Sequence, residues 1–278
     1  MLQVLPCADR PLDLTRPQVM GILNVTPDSF SDGGLFISVD AALMQARQMV
    51  AEAAAIIDVG GESTRPGAAA VSEQEELDRV APVIEAIARE LPVIVSVDTS
   101  KARIMSEAVA LGAGLINDVR ALREPGALQA ASDAGVPVCL MHMAGNPRSM
   151  QKNPRYTDVI DDIIRFLRER IQACETAGIP ASQLLIDPGF GFGKRVAHNL
   201  LIVRRLHEFL SLDKPLLIGV SRKSTIGTVL DRAADERLPG SLALAAMACR
   251  EGAHIIRAHD VAATVDAVKM CHAVMTAS

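Results

Sequence analysis

The chain has 278 residues, 49% of them apolar, and a formal net charge of −5. With no Trp, one Tyr and an acidic balance, it lacks the stacking platform and the positive field of a nucleic-acid binder. The opening segment lacks a basic region and a long apolar core, and no apolar run approaches membrane-spanning length, so a cytoplasmic protein with no membrane partner is expected.

Residues 2–16 read as a short capping segment, with a hairpin as one form it can take. A repeating pattern follows. Buried strands are expected at Val19–Val25, Ile56–Gly60, Val93–Val97, Leu115–Val119, Val136–Met143, Leu184–Ile186, Leu216–Val220 and His254–Ala258, because each is a short apolar run bounded by breakers. Helices are expected between them at Asp40–Ala55, Ser72–Glu90, Lys101–Leu111, Gly126–Ala134, Thr157–Ala177, Val196–Leu210, Ser241–Glu251 and Val261–Met275. Ser72 with Glu75 has the spacing of a capping box, and Pro82 is placed to kink that helix. Val159, Ile160, Ile163, Ile164, Leu167 and Ile171 keep helical spacing.

About eight strand–helix units in near-regular alternation are the signature of an α/β fold of the (β/α)8 TIM-barrel type. A doubly wound sheet is the runner-up, but it more often carries a glycine fingerprint after its first strand. Here Asn-Val-Thr-Pro-Asp follows instead, and Gly189, Gly191 and Gly193 do not fit that spacing. No linker or shift of composition divides residues 1–278, so one domain is expected. The five cysteines are scattered without a C-x-x-C pair, which reads as free, mostly buried thiols in a reducing compartment.

In such a barrel the active site forms at the carboxyl ends of the strands. Those ends deliver Asn24, Glu62–Arg65, Asp98, Asn117, Met141–Met143, Asp187, Ser221–Lys223 and Arg257–His259. Any one of these is explained by a turn; a full ring is not. The stretch Leu184–Lys194 is the clearest case, since an apolar run ends in Asp187, then Pro188 and three glycines spaced by Phe190 and Phe192.

The ring has two chemical characters. Asp98, Asn117 and Asp187 suit a flat heterocycle with an amino-amidine edge, since a carboxylate accepts two parallel N–H bonds. Lys223 supplies a donor to a ring carbonyl or nitrogen, or else an internal counter-ion for Asp98 or Asp187. Arg65, Arg257 and His259 form an anion site. Asn24 suits Mg²⁺, an ion that would bridge diphosphate oxygens and keep several waters. Two long loops, Thr26–Gly34 and Glu62–Val71, are placed to act as lids or as plain connections. His142, between two Met, reads as a satisfied core residue; His198, His207 and His272 fall on helices as surface residues.

Met20–Gly34 and Asp58–Gly67 resemble the two signature segments of the bacterial dihydropteroate synthase family. Asp98–Lys101, Ile116–Val119, Cys139–Met143, Asp187–Lys194, Gly219–Ser224 and Arg257–Asp260 match the family in order. The resemblance implies a transferase of folate synthesis that joins 4-aminobenzoate to 6-hydroxymethyl-7,8-dihydropterin diphosphate. It implies that Asp98, Asn117, Asp187 and Lys223 hold the pterin, with Val119, Met141 and Gly219 lining its slot. Asn24, Arg65, Arg257 and His259 would hold the diphosphate, with Mg²⁺ on Asn24. Phe30, Thr64, Arg65, Pro66, Phe192, Ser221 and Lys223 would form the aminobenzoate site, where sulfonamides compete. Asp98, Lys223, Arg257 and His259 would carry the chemistry, in a homodimer. A pterin-binding methyltransferase and a catalytically silent pterin-binding paralogue are the alternatives.

Overall fold

The computed structural model describes residues 4–26, 39–63, 71–145, 150 and 154–277. Ten strands and nine α-helices alternate along these residues. They are β1 (Val4–Cys7), β2 (Arg10–Asp13), β3 (Gln18–Asn24), α1 (Val39–Ala51), β4 (Ile56–Gly60), α2 (Glu73–Glu90), β5 (Ile94–Asp98) and α3 (Ala102–Ala110). Then come β6 (Leu115–Asp118), α4 (Ala127–Ala134), β7 (Val138–Met141), α5 (Val159–Thr176), β8 (Leu184–Asp187) and α6 (Val196–Arg204). The chain ends with β9 (Leu217–Gly219), α7 (Ser224–Leu230), α8 (Leu238–Arg250), β10 (Ile255–Ala258) and α9 (Val261–Met275).

Strands β3 to β10 pair in parallel in the order β8-β7-β6-β5-β4-β3-β10-β9. A parallel bridge between Ile186 and Leu216 joins the two ends of that order and closes the barrel. The expected TIM barrel is therefore the observed one. Alternation along each strand builds its two faces. Val19, Leu23, Ile57, Val59, Val95, Val97, Leu184 and Ile186 belong to the large cluster shared with the helices. Met20, Ile56, Ile94, Leu115, Cys139, Leu185, Leu217 and Ile255 belong to a second cluster, inside the barrel.

The antiparallel hairpin β1–β2 contributes Leu5, Cys7, Leu12 and Leu14 to that inner cluster. It plugs the amino-terminal mouth, as a capping segment should. Moving two or four residues along each strand stays on the inner face and leads toward the other mouth. Ile56 leads to Asp58, Ile94 to Ser96 and Asp98, Leu115 to Asn117, Leu185 to Asp187, and Ile255 to Arg257. The barrel interior is thus apolar at one end and ionisable at the other.

Several boundaries differ from the sequence reading. Helix α1 stops at Ala51 because Ala53 turns left-handed (φ 68°) and Ala54 N–H bonds back to Met49 O. Helix α6 stops at Arg204 and tightens into a 3₁₀ segment, Leu206–Leu212. Helix α8 starts at Leu238, with Pro239 in its first turn, where its missing N–H leaves nothing unpaired. Helix α7 was not expected at all, because Thr225, Ile226, Gly227, Thr228 and Val229 are weak helix formers. Helix α2 does begin after Ser72, whose hydroxyl accepts from Glu75 N–H, and it continues through Pro82. All five cysteines are free, and four are buried.

Candidate active site

The ionisable mouth is organised around Arg257. Its Nε donates to Asp58 Oδ2 (2.6 Å) and its Nη2 donates to Asp98 Oδ2 (2.8 Å). Asn117 Nδ2 donates to the same Asp58 oxygen at 3.0 Å. Four strands are thereby cross-linked inside the barrel: β4, β5, β6 and β10. Burial opposes the Arg257 charge, but Asp58 and Asp98 outweigh it and hold the guanidinium above its ordinary range. Burial also raises the Asp98 carboxyl, against the pull of Arg257, to about 7. The hydrogen-bonded partner of Asp98 is Arg257, while Lys223 acts on it through charge alone.

Lys223 lies over the Phe192 ring, with Nζ 4.1 Å from the centroid. Burial and the nearby Arg257 lower its pKa to about 8, while Asp187 and Asp98 pull the other way. Asp187 is 5% exposed and accepts the Gly189 N–H at 2.6 Å. Burial raises its pKa to about 6; the Gly189 bond and Lys223 counter that shift. Val119, Met141, Met143 and Met150 form an apolar cluster with Phe192 packed against it, so one wall of the mouth is greasy and the opposite one charged.

Two glycines hold space between these walls. A Cβ on Gly60 would meet Asp98 Cβ at 3.4 Å, and one on Gly219 would meet Arg257 Cβ at 3.8 Å. Both occupy inward positions, so no side chain there crowds the carboxylate or the guanidinium. Asn24 pairs in register with Gly60, which pairs with Asp98. Ser221 Oγ lies 3.0 Å from His259 Nδ1 and accepts the His259 N–H at 3.2 Å. Burial, Arg257 and Arg222 lower the His259 pKa to about 4, so the imidazole is neutral at physiological pH.

Asp98, Asn117, Asp187, Lys223, Arg257, Ser221, His259, Phe192, Val119, Met141, Gly219 and Asn24 thus all lie on elements that end at one mouth. Phe30, Thr64, Arg65 and Pro66 lie outside the described residues. Glu62, on the rim by sequence, instead pairs with Lys101 at 2.9 Å. His142 is a core residue, 6% exposed. Two buried charged residues near this mouth were not singled out in the sequence. Asp58 is an acid inside the apolar run Ile56–Gly60, fully buried; its period-two offset from Ile56 was the available signal. Lys194 is 3% exposed, and a lysine after a glycine turn carries no such signal.

Known proteins are similar along this whole frame. A family profile described as pterin binding enzyme matches residues 20–259. The dihydropteroate synthase of Escherichia coli (strain K12) is 56% identical over 96% of this chain and 94% of its own. The crystal structure of Yersinia pestis dihydropteroate synthase with a sulfonamide drug complex superposes with a TM-score of 0.95, at 54% identity, covering 99% of this chain and 100% of that one. The Xanthomonas albilineans dihydropteroate synthase with 4-aminobenzoic acid gives 0.95 at 50% identity, covering all of both chains. On this likeness and on the barrel mouth that accompanies it, the chain belongs to the pterin-binding enzymes and, within them, to the dihydropteroate synthases.

Proposed function

We infer that this chain condenses 4-aminobenzoate with 6-hydroxymethyl-7,8-dihydropterin diphosphate, giving 7,8-dihydropteroate and diphosphate in folate synthesis. The observation that carries the reading is the set of buried ionisable groups at one mouth, Asp98, Asp187, Lys223 and Arg257, with the side-chain-free positions Gly60 and Gly219 beside them. Asp98, Asn117 and Asp187 present acceptors to the amino-amidine edge of the pterin, Lys223 donates to its other edge, and Val119 and Met141 line its flat face. Arg257 and His259 hold the diphosphate, with Arg65 from the loop. Phe192, Lys223 and Ser221, with Phe30, Thr64, Arg65 and Pro66, take the aminobenzoate. Sulfonamides, bound by a relative, compete at that subsite.

The substitution is dissociative. The methylene C–O bond breaks, and its electron pair leaves with the diphosphate. The electron-rich reduced ring carries the resulting positive charge, and the carboxylate of Asp98 stabilises it in a site shielded from water. The aryl amine then bonds to the methylene carbon, and its surplus proton leaves on the diphosphate anion. An aryl amine needs no strong base, in keeping with the weak basicity of His259, whose pKa lies at about 4.

Mg²⁺ fits this donor set as an ion shared with the substrate. No group of three or more His, Cys, Asp or Glu forms a metal cage among the described residues, whereas Asn24 ends β3 with a neutral amide oxygen. Mg²⁺ favours one or two protein oxygens plus waters and phosphate, and when bound it neutralises diphosphate charge. The whole chain acts as one cytoplasmic barrel domain; no helix among the described residues is long and apolar enough to cross a membrane. Exposed Met247, Met270 and Val274 on the adjacent helices α8 and α9 support a homodimer. The anion assignment is tested with Arg257→Ala. Affinity for the pterin diphosphate is expected to fall by about 10²-fold and that for the pterin alcohol far less; equal losses would remove Arg257 from the clamp.

A further inference from the structure

Lys194 has no part in the reaction described above, yet its ammonium is buried beside the site. Nζ donates to the carbonyl oxygens of Gly189 (2.8 Å) and Phe192 (3.0 Å) and lies 3.0 Å from His142 Nδ1. The His142 carbonyl is more distant, at 3.4 Å. An ammonium has three N–H donors, and the three nearer acceptors match them one to one. Burial, reinforced by the positive charges of Lys194 and Arg123, keeps His142 neutral. Opposite an ammonium its Nδ1 accepts, and the ring proton sits on Nε2. Burial lowers the Lys194 pKa to about 7, against the pull of Asp187. As a neutral amine it still satisfies the node, donating to the Gly189 and Phe192 carbonyls and accepting from the other His142 tautomer, so in either form the lysine ties the same three groups together.

These contacts bind two strand ends into one node. His142 follows β7; Gly189 and Phe192 belong to the turn after β8. The Gly189 carbonyl also accepts the Phe192 N–H at 3.0 Å, so one oxygen both closes the turn and takes the Lys194 charge. From the other side, Gly191 N–H donates to Asn199 Oδ1 (2.8 Å), and Asn199 Nδ2 donates to Thr225 Oγ1 (2.8 Å) on α7. Lys223 sits immediately before α7. The turn is thus gripped between the end of β7 and the start of α7, and its apex residue Phe192 meets Lys223.

We propose that Lys194 is a positioning residue for the aminobenzoate half of the site: by drawing the Gly189 and Phe192 carbonyls onto His142, it sets the place of the Phe192 ring beneath Lys223. The proposal rests on the reading of Phe192 and Lys223 given above. Lys194→Met keeps the length of the side chain and removes the charge. Its KM for 4-aminobenzoate is expected to rise about tenfold or more, while kcat and the KM for dihydropterin diphosphate change by less than about threefold.

Phe192→Leu is expected to raise the same KM, and adding Lys194→Met to it should have little further effect, because the lysine acts through the ring. Additive effects of the two changes would overturn the proposal. So would a loss shared equally by kcat and both KM values in step with thermal stability, which is the mark of a purely structural lysine. If Lys194→Met does not fold, His142→Phe is read in the same way, since it removes one acceptor and keeps a ring against Phe166. A wild-type protein that makes no dihydropteroate would instead overturn the reaction, a failure separate from that of Lys194.

Discussion

Asp98 carries two partly opposed tasks at the residue scale. It accepts a hydrogen bond from Arg257, and in the proposed reaction it also faces a pterin ring that turns cationic. Asp98→Ala leaves Arg257 its bond to Asp58, so the barrel should fold with a melting temperature near wild type. Turnover should drop on the order of 10²–10³-fold; near-normal turnover would take Asp98 out of the mechanism. The raised carboxyls also fix the direction of the pH dependence. Protonation removes an acceptor, so kcat/KM for the pterin diphosphate is expected to fall as pH drops through about 7 and about 6, the values for Asp98 and Asp187. A flat profile across that range contradicts the assignment.

Stability of the apo protein runs the other way. A carboxyl whose folded pKa is raised holds its proton more tightly folded than unfolded. Its contribution is therefore most favourable below the unfolded value, about 3.9, and declines as pH rises through the folded value, about 6 for Asp187. Asp187→Asn does not titrate, so its stability relative to wild type should rise across that window. Denaturant titrations of both proteins at several pH values measure the slope, and a slope of the opposite sign would show that Asp187 is ionised more easily in the folded state.

At the scale of the element, the turn after β8 is the most constrained piece of the described chain. Gly189 has φ 69°, and a Cβ there would lie 1.9 Å from the His142 carbonyl oxygen. Gly135 has a similar φ of 67° with nothing within 4 Å. Gly135→Ala should therefore cost about 1 kcal/mol, for backbone strain alone. Gly189→Ala adds a backbone collision and should cost clearly more than about 3 kcal/mol. Equal losses in urea unfolding would mean that the turn yields freely.

The same turn marks how far sequence reasoning reaches. Asp98, Asn117, Asp187 and Arg257 were legible because each interrupts or ends an apolar run, and a period of two then fixes the face. Asp58 follows the same rule but sits lower in its strand, where it was read as part of a motif rather than as a buried acid. Lys194 was illegible, since what it does depends on carbonyl groups gathered from two strands. Helix α7 was hidden by its β-branched residues; it is held by tertiary contacts such as Asn199 with Thr225, which no local preference announces.

Across the whole molecule, the barrel separates an apolar end from an ionisable one along its axis. The hairpin β1–β2 seals one mouth with Leu5, Cys7, Leu12 and Leu14, and the ionisable groups occupy the other. Leu5→Ala is expected to destabilise the fold by about 2–5 kcal/mol while leaving kcat and both KM values nearly unchanged. A large loss of activity without loss of stability would mean that the two ends are coupled.

The claim that unites these scales is a single reaction at the ionisable mouth. Diphosphate release by the purified protein, with Mg²⁺ and dihydropterin diphosphate, measured with and without 4-aminobenzoate, tests it most directly. Release that depends on aminobenzoate, matched by 7,8-dihydropteroate in equal amount, is the predicted result. Tight binding of the pterin diphosphate with no aminobenzoate-dependent release would contradict it.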